Sequence, residues 1–463
     1  MNFIIMARKI FISVLGTGFY EPCKYTKGSF VSSNTRFIQQ ATLEYLKVST
    51  NWTTRNADDE VIDRVIILLT KGAKESNWRQ SKRTNKITGQ EEDYMGLEQV
   101  LQDMNLPCPV ETIDIPDGRN EEEMWAIFNS VYETLRLNDE LYFDLTHSYR
   151  YLPMLVLVLS NYAKFLKGVK VKHISYGNYE ARDIASNEAP LMDILPLTML
   201  QDWTFAAADL IQNGNIQRFM ELKETDAIMP MLRAKGKKNI TRKMVEEPLD
   251  NYIIQLDAFL RDMRLCQGPN ILRGKTINNI NACHEQIVSV FDDIIAPIPP
   301  IINEIKQSLE GFEPVEYQES LRNGYAAAKW CYEHQLYQQA LTILEENINT
   351  EFCLILGTEI NNFDQRSASG KYLRNKGYRE EDWEKNFKEE KEQIHWEKIK
   401  EMVRNAVSPN LINFINNVSD DAGWIHRKRN AYNHASMTNG KMFSFEDVNK
   451  LGEKIERIIK VTR

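Results

Sequence analysis

Glu140–Leu145 (ELYFDL) runs into Thr146-His147-Ser148-Tyr149-Arg150-Tyr151-Leu152-Pro153, and this stretch decides the fold of the first half of the chain. A short apolar run rich in strand formers stops at a cluster of hydroxyl, imidazole and guanidinium side chains, and a helical stretch, Leu152–Leu166, follows. Four more runs have the same form: Lys9–Leu15 before Gly16-Thr17-Gly18, Val61–Leu69 before Thr70-Lys71-Gly72, Val110–Ile115 before Pro116-Asp117-Gly118, and Val169–Ser175 before Tyr176-Gly177. Helical stretches lie between them at Thr35–Leu46, Gly96–Met104 and Glu121–Leu135. Apolar strands alternating with helices predict an α/β domain whose parallel sheet is covered on both faces.

Such sheets bind ligands at the carboxyl ends of their strands. The small and polar residues gather there: Gly16, Thr17, Gly18, Lys71, Gly118, Asn120, Thr146, His147, Ser148 and Arg150. Free backbone amides at the start of the Leu152–Leu166 helix suit a phosphate; Thr146 and Ser148 add hydroxyls, and His147 and Arg150 add cationic or switchable partners. Plainer readings stand beside this one. Thr146 or Ser148 serves equally as a helix cap with Arg150 paired to a carboxylate, the Gly-Thr-Gly turn suits any βα connection, and Lys71 reads as a surface lysine. Gly16-Thr17-Gly18 is followed by Phe19-Tyr20-Glu21-Pro22, so the dinucleotide fingerprint GxGxxG is missing, and no GxxxxGK[ST] loop occurs. A nucleotide-like ligand fits; NAD or a magnesium-bound triphosphate does not.

From Gln201 onward the patterns become mostly helical, for instance Trp203–Leu222, Asp250–Arg264, Tyr325–Asn347 and Phe445–Arg463. Ala234–Lys243 is a basic loop, the prolines of Ala296–Ile301 (APIPPI) break any helix there, and Asp364–Lys400 reads as a charged, solvated insertion. Glu345, Glu346 and Glu351 read as a solvated helix face.

Near the C-terminus, Arg429-Asn430-Ala431-Tyr432-Asn433-His434 joins a permanent cation, an amide and a titratable imidazole. Five residues of helix turn through about 500°, so Arg429 and His434 occupy different faces but can border one groove that a second copy completes. An imidazole moves protons near neutral pH and a guanidinium holds a phosphate, the pair that metal-free RNA cleavage requires. The opposing reading is a structural helix in which carboxylates satisfy both residues. His426-Arg427-Lys428 makes the approach basic, which a structural helix does not need.

At 463 residues the chain has room for two or three domains, with 43% hydrophobic and 26% charged residues and a net charge of -8. That charge argues against a general nucleic-acid coat, though not against a nuclease with a local groove. Six scattered cysteines without a CxxC pair predict reduced thiols, a cytoplasmic protein and no metal site. The segment Met1–Lys9 is too short and wrongly ordered for a secretory signal, with Met6 an alternative start, and Met154–Tyr162 falls far below the ~20 residues that span a bilayer.

Three stretches together resemble the CRISPR-associated CARF–HEPN ribonucleases of type III systems. Ser13-Val14-Leu15-Gly16-Thr17-Gly18 and Asp144-Leu145-Thr146-His147-Ser148-Tyr149-Arg150 resemble the first-strand loop and strand-four signature of the CARF sensor, a Rossmann-like fold. Arg429-Asn430-Ala431-Tyr432-Asn433-His434 resembles the R-x4-6-H element of HEPN nucleases. The resemblance implies a CARF domain over residues 1–197, a helical linker over 198–330, and a HEPN core over 331–463 with the charged insertion near 364–400. It implies a homodimer or a multiple of dimers, whose sensor crevice binds cyclic oligoadenylate, most usually the cyclic tetra-adenylate. The reaction implied is metal-independent cleavage of single-stranded RNA in antiviral defence, leaving a 2′,3′-cyclic phosphate, with no cofactor and no membrane contact. Arg429 would stabilise the phosphorane, His434 would serve as acid, base or orienter, and Asn430 would support them. His426 receives no role. Two alternatives remain: a non-catalytic sensor, and a sensor that also degrades its activator through Thr146, His147 and Ser148.

Overall fold

A computed structural model describes residues 7–49, 62–84, 90–147, 151–223, 242–292, 297–315, 319–375, 390–405, 408–437 and 442–462. The chain divides into two compact units, one reaching to Gln201 and one beginning at Asp202.

The strands of the first unit are β1 (Lys9–Leu15), β2 (Lys24–Lys27), β3 (Phe30–Val31), β4 (Arg64–Leu69), β5 (Ser81–Thr84), β6 (Glu91–Tyr94), β7 (Val110–Asp114), β8 (Glu140–Asp144), β9 (Lys170–Gly177) and β10 (Glu188–Asp193). The helices are α1 (Ile38–Ser49), α2 (Leu97–Asp103), α3 (Glu121–Thr134), α4 (Leu152–Lys167) and α5 (Leu195–Asn213), of which α5 ends beyond Gln201. All five strands expected from the sequence form, parallel and in the spatial order β7-β4-β1-β8-β9. Every residue of β1, β4 and β8 after the first is buried, as a strand covered on both faces requires. Phe11, Leu15, Val65, Ile67 and Leu69 pack with Phe37, Leu43 and Leu46 around α1.

The sheet is not purely parallel. On its β9 side, β10 pairs antiparallel with β9 and parallel with β2, and β3 closes the edge antiparallel to β2. These additions are short and polar, or carry Pro190, which has no N–H to donate, so they lack the apolar runs that announce the other strands. A separate antiparallel pair, β5 with β6, also has no such signal. After β1 the chain builds β4 and β7 on one side, then returns to lay β8 on the other. The strand order therefore reverses between β1 and β8.

The second unit is helical throughout its described residues: the end of α5, then α6 (Gln217–Lys223), α7 (Arg242–Arg264), α8 (Gly268–Arg273), α9 (Lys275–Asp292), α10 (Ile298–Gln307), α11 (Leu321–Glu333), α12 (Tyr337–Leu356), α13 (Phe363–Arg374), α14 (Glu390–Asn405), α15 (Pro409–Asn433) and α16 (Phe445–Val461). Two stretches expected as single helices are broken. Gly214 at φ +60 separates α5 from α6, and Gln335 at φ 61 separates α11 from α12. The proline-rich segment does interrupt the helices, and α10 begins with prolines in its first turn.

Helix α12 is central, packing on α11, α13, α15 and α16. Two expectations fail around it. Glu345 is 3% exposed and Glu351 is held by the hydroxyl of Tyr325, so of the three glutamates only Glu346, its side chain 46% exposed, lies on a solvated face. The start of the charged segment is also integral to the bundle, because α13 buries Ala368, Ser369, Gly370 and Leu373. Residues 376–389 lie outside the described residues, as does most of the basic loop, whose Arg242 and Lys243 open α7. Asp421 of α15, fully buried, takes Lys454 at 2.7 Å and Arg457 at 2.7 Å from α16.

Candidate functional site

In the first unit the reversal point between β1 and β8 gathers much of the expected crevice. The pairing of Ser13 with Asp144 and of Leu15 with Leu69 sets the ends of β8, β1 and β4 side by side. The Gly16–Gly18 loop is fixed from below by Asn77, whose buried amide donates to the carbonyls of Gly16 and Gly18, each at 2.8 Å. A Cβ on Gly16 would lie 2.5 Å from the Tyr20 hydroxyl and 3.1 Å from the His147 carbonyl, so no larger residue fits without displacement. The methyl of Thr17 faces Gly72. Tyr20 stacks on the His147 imidazole with ring centres 3.7 Å apart.

Beneath them lies a buried polar hub. Asp144 accepts from the Ser13 hydroxyl at 2.6 Å, the Thr146 hydroxyl at 2.7 Å and the Thr146 amide at 3.2 Å. Thr146 Oγ1 accepts in turn from the Gly177 amide at 2.8 Å, and Gln39 donates to Ser13 at 3.0 Å. Burial raises the Asp144 carboxyl above its usual range despite the bonds from Ser13 and Thr146 that pull it down. His147 goes the other way: burial pushes its imidazole down to about 3. Of the two roles expected of it, cationic or switchable partner, this burial favours neither near pH 7, where the ring is held neutral. Its buried Nε2 meets no hydrogen-bond partner among the described residues.

The remaining crevice residues divide. Lys71 is exposed at the carboxyl end of β4. Gly118, at φ +71, lies so close to the Tyr151 hydroxyl that a Cβ would be 1.8 Å away, and its carbonyl accepts from that hydroxyl at 3.3 Å. The side chain of Asn120 caps α3 by accepting from the Glu123 amide at 2.8 Å. Ser148 and Arg150 lie outside the described residues. Sequence reasoning missed Asn77 and Tyr20; the polar Asn77 between Ser76 and Trp78 gives no local hint of a bond to residues about sixty positions away.

The second constellation belongs to α15 and the helices against it. Arg429 donates through Nε to Glu345 at 2.8 Å and through Nη2 to Glu346 at 3.2 Å. Arg374 of α13 reaches Glu345 at 3.3 Å, and Arg366 reaches the other oxygen of Glu346 at 2.8 Å. Three guanidiniums thus share two carboxylates, leaving a positive excess beside α15. Burial raises the Glu345 carboxyl, but the bond from His426 and the charges of Arg429 and Arg374 outweigh it and hold it below its usual range.

His426 joins this cluster: its Nδ1 lies 2.7 Å from Glu345, and its Nε2 lies 3.0 Å from Asn430 Nδ2. His434 ends the helix, its backbone amide bonded to the Asn430 carbonyl at 3.1 Å and its side chain exposed. Ala435 and Ser436, at φ 50 and 59, turn the chain away immediately after it. Arg429 is thus satisfied by carboxylates, and among the described residues His434 is not. Two bonds leave Arg429 with donors to offer a phosphate oxygen. Among the described residues no cluster of His, Cys, Asp and Glu is arranged to hold a metal ion, and no helix is long and apolar enough to cross a membrane.

A Rossmann-like α/β unit followed by a helical unit defines the class of architecture, and comparison with known proteins adds a relationship. No protein-family model matches the chain. Over 241 residues, 51% of its length, it is 24% identical to CRISPR-associated protein MJ1674 of Methanocaldococcus jannaschii. The chain spans about a third of that relative, 33% of its length. Among solved structures, Enterococcus italicus Csm6 bound to cyclic hexa-2′-fluoro-hexa-dAMP overlaps 90% of this chain and all of its own, at 11% identity and a TM-score of 0.27. A superposition that loose fixes neither fold nor ligand.

Proposed function

We propose that the chain is a cyclic-oligoadenylate-activated endoribonuclease of the CARF–HEPN type, acting on single-stranded RNA in CRISPR defence. The observation that carries this reading is the end of α15. A guanidinium oriented by Glu345 and Glu346 lies within a positive cluster, an amide lies one residue on, and an exposed imidazole lies one helical turn beyond the amide. The similarity to a CRISPR-associated protein and the order of the two units support it.

In this reading the 2′-oxygen of RNA attacks the adjacent phosphorus, the bond from phosphorus to the 5′-oxygen breaks, and a 2′,3′-cyclic phosphate forms. His434 takes the 2′-proton or supplies one to the leaving oxygen, while Arg429 stabilises the charge that builds on the phosphorane. The chemistry needs no metal. In the sensor, Gly16–Gly18, Lys71, Gly118, Asn120, Thr146, His147, Ser148 and Arg150 surround a ring of phosphates, the cyclic tetra-adenylate first among candidates. A symmetric ring suits the same crevice presented twice, hence a homodimer, working in the cytoplasm where transcripts lie.

The test is cleavage of a fluorogenic single-stranded RNA in EDTA across a panel of cyclic oligoadenylates. Activator-dependent cleavage is expected, with His434→Ala slower by roughly 10²-fold or more. A requirement for divalent metal would overturn the metal-free reading. One observation favours a second reading, the ion pairing of Arg429 with Glu345 and Glu346, which suits a non-catalytic sensor. That reading predicts activator binding without RNA product.

A further inference from the structure

Resting on the ribonuclease reading, we infer that His426 is a positioning residue that sets the orientation of the Asn430 amide, and that the setting reverses when His426 is protonated. His426, Asn430 and His434 follow one another at i, i+4 and i+8 along α15, so they form one stripe of the helix. Glu345 is buried and ionised, so it can only accept; the atom facing it at 2.7 Å, His426 Nδ1, must therefore carry the proton. In the neutral ring that leaves Nε2 as a lone pair, which faces the Asn430 amide nitrogen at 3.0 Å. Asn430 donates there, and its Oδ1 is turned away from His426.

The outward group is consequently an acceptor, suited to the 2′-hydroxyl proton of RNA or to an N–H of His434. Protonation of His426 makes Nε2 a donor. Asn430 must then turn its oxygen inward and present its NH₂ outward, which no longer accepts from a hydroxyl. The charges bearing on His426 are Glu345 and Glu346 from α12, Arg374 from α13 and Arg429 on its own helix; the α16 charges Asp447, Lys454 and Arg457 are taken up by Lys428 and Asp421. Glu345 is shared among two guanidiniums and the His426 ring, so it steadies one tautomer of the ring at the same time as it holds Arg429.

Selective ¹⁵N-histidine labelling of the full chain reads the tautomer directly, whether or not RNA is cut. The His426 signal, assigned by its loss in His426→Gln, is expected to show protonated Nδ1 and bare Nε2 at neutral pH. A ring protonated at Nε2 there would overturn the proposal. In the RNA assay, His426→Ala is expected to lower kcat roughly 10- to 100-fold with KM little changed. His426→Gln can donate to Glu345 and accept from Asn430 without titrating, so it should rescue most of that loss and remove one acidic limb of the pH–kcat profile. An unchanged profile in His426→Gln overturns the switch. If the wild type cuts no RNA with any activator, the ribonuclease reading and this positioning role both fall, whatever the tautomer.

Discussion

Glu345 is the residue on which the second constellation depends. It bonds or pairs with His426, Arg429 and Arg374, and it is nearly inaccessible to water. Removing its charge strands cations in a buried setting, so Glu345→Gln should cost roughly 3 kcal/mol or more in urea unfolding and abolish RNA cleavage at temperatures where the variant stays folded. His147 offers a test in the first unit. Its folded-state value of about 3 lies below the ordinary imidazole value of about 6.5, so the unfolded chain binds the extra proton. Its contribution is complete above the ordinary value and drains as pH falls toward 3. His147→Asn should therefore narrow the drop in Tm between pH 7 and pH 5; an equal drop would show that the ring is not desolvated. Asp144, shifted upward, acts in the opposite sense and is common to both proteins. Neither residue's role was legible in sequence, because the partners of Glu345 lie about eighty positions away and the burial of His147 depends on Tyr20 closing over it.

Elements were easier to read than residues. β1, β4 and β8 were anticipated because a strand buried on both faces must be apolar along its whole length, and β7 and β9, only partly buried, because their short apolar runs stop at turn residues. β2, β3 and β10 were not, because an edge made of KYTK, FV and EAPLMD carries no such signature. In the helical half, apolar periodicity located α12 but hid its buried carboxylates, since charge neutralised across helices looks in sequence like charge exposed to water. One element carries a surface that invites a test. Along α4, Met154, Val158, Tyr162 and Phe165 are exposed at 71%, 56%, 45% and 83%, with Trp125 of α3 exposed nearby at 56%. The stripe begins just after the Thr146–His147 loop, so a second copy docking there would bring two crevices together. Phe165→Glu is expected to shift the protein toward monomer in analytical ultracentrifugation and to weaken activator binding. An unchanged sedimentation coefficient would exclude α4 from the proposed dimer interface.

At the scale of the whole molecule the proposal couples recognition in one unit to chemistry in the other, which requires the activator to bind the two functional states with different affinity. Binding and cutting should nevertheless separate in the right variant. A saturating cyclic oligoadenylate should raise the Tm of wild type and of His434→Ala alike, by about 2.7 kcal/mol of added stability at a hundredfold excess over Kd. A His434→Ala protein that loses the thermal shift as well would show that the imidazole matters to folding or binding and not to cleavage alone. The division into an α/β unit and a helical unit was readable from the change of hydrophobic period near Gln201, because that period is a local property of the chain.

The amide of Asn77 holds the Gly16 and Gly18 carbonyls before any guest arrives. A loop already shaped has little disorder left to surrender, so capture should be governed by how often the two molecules meet. Its rate should then scale inversely with solvent viscosity and show no slow second phase in stopped-flow mixing. Asn77→Ala, by loosening the loop, would introduce that slow phase while leaving the first encounter as fast as before.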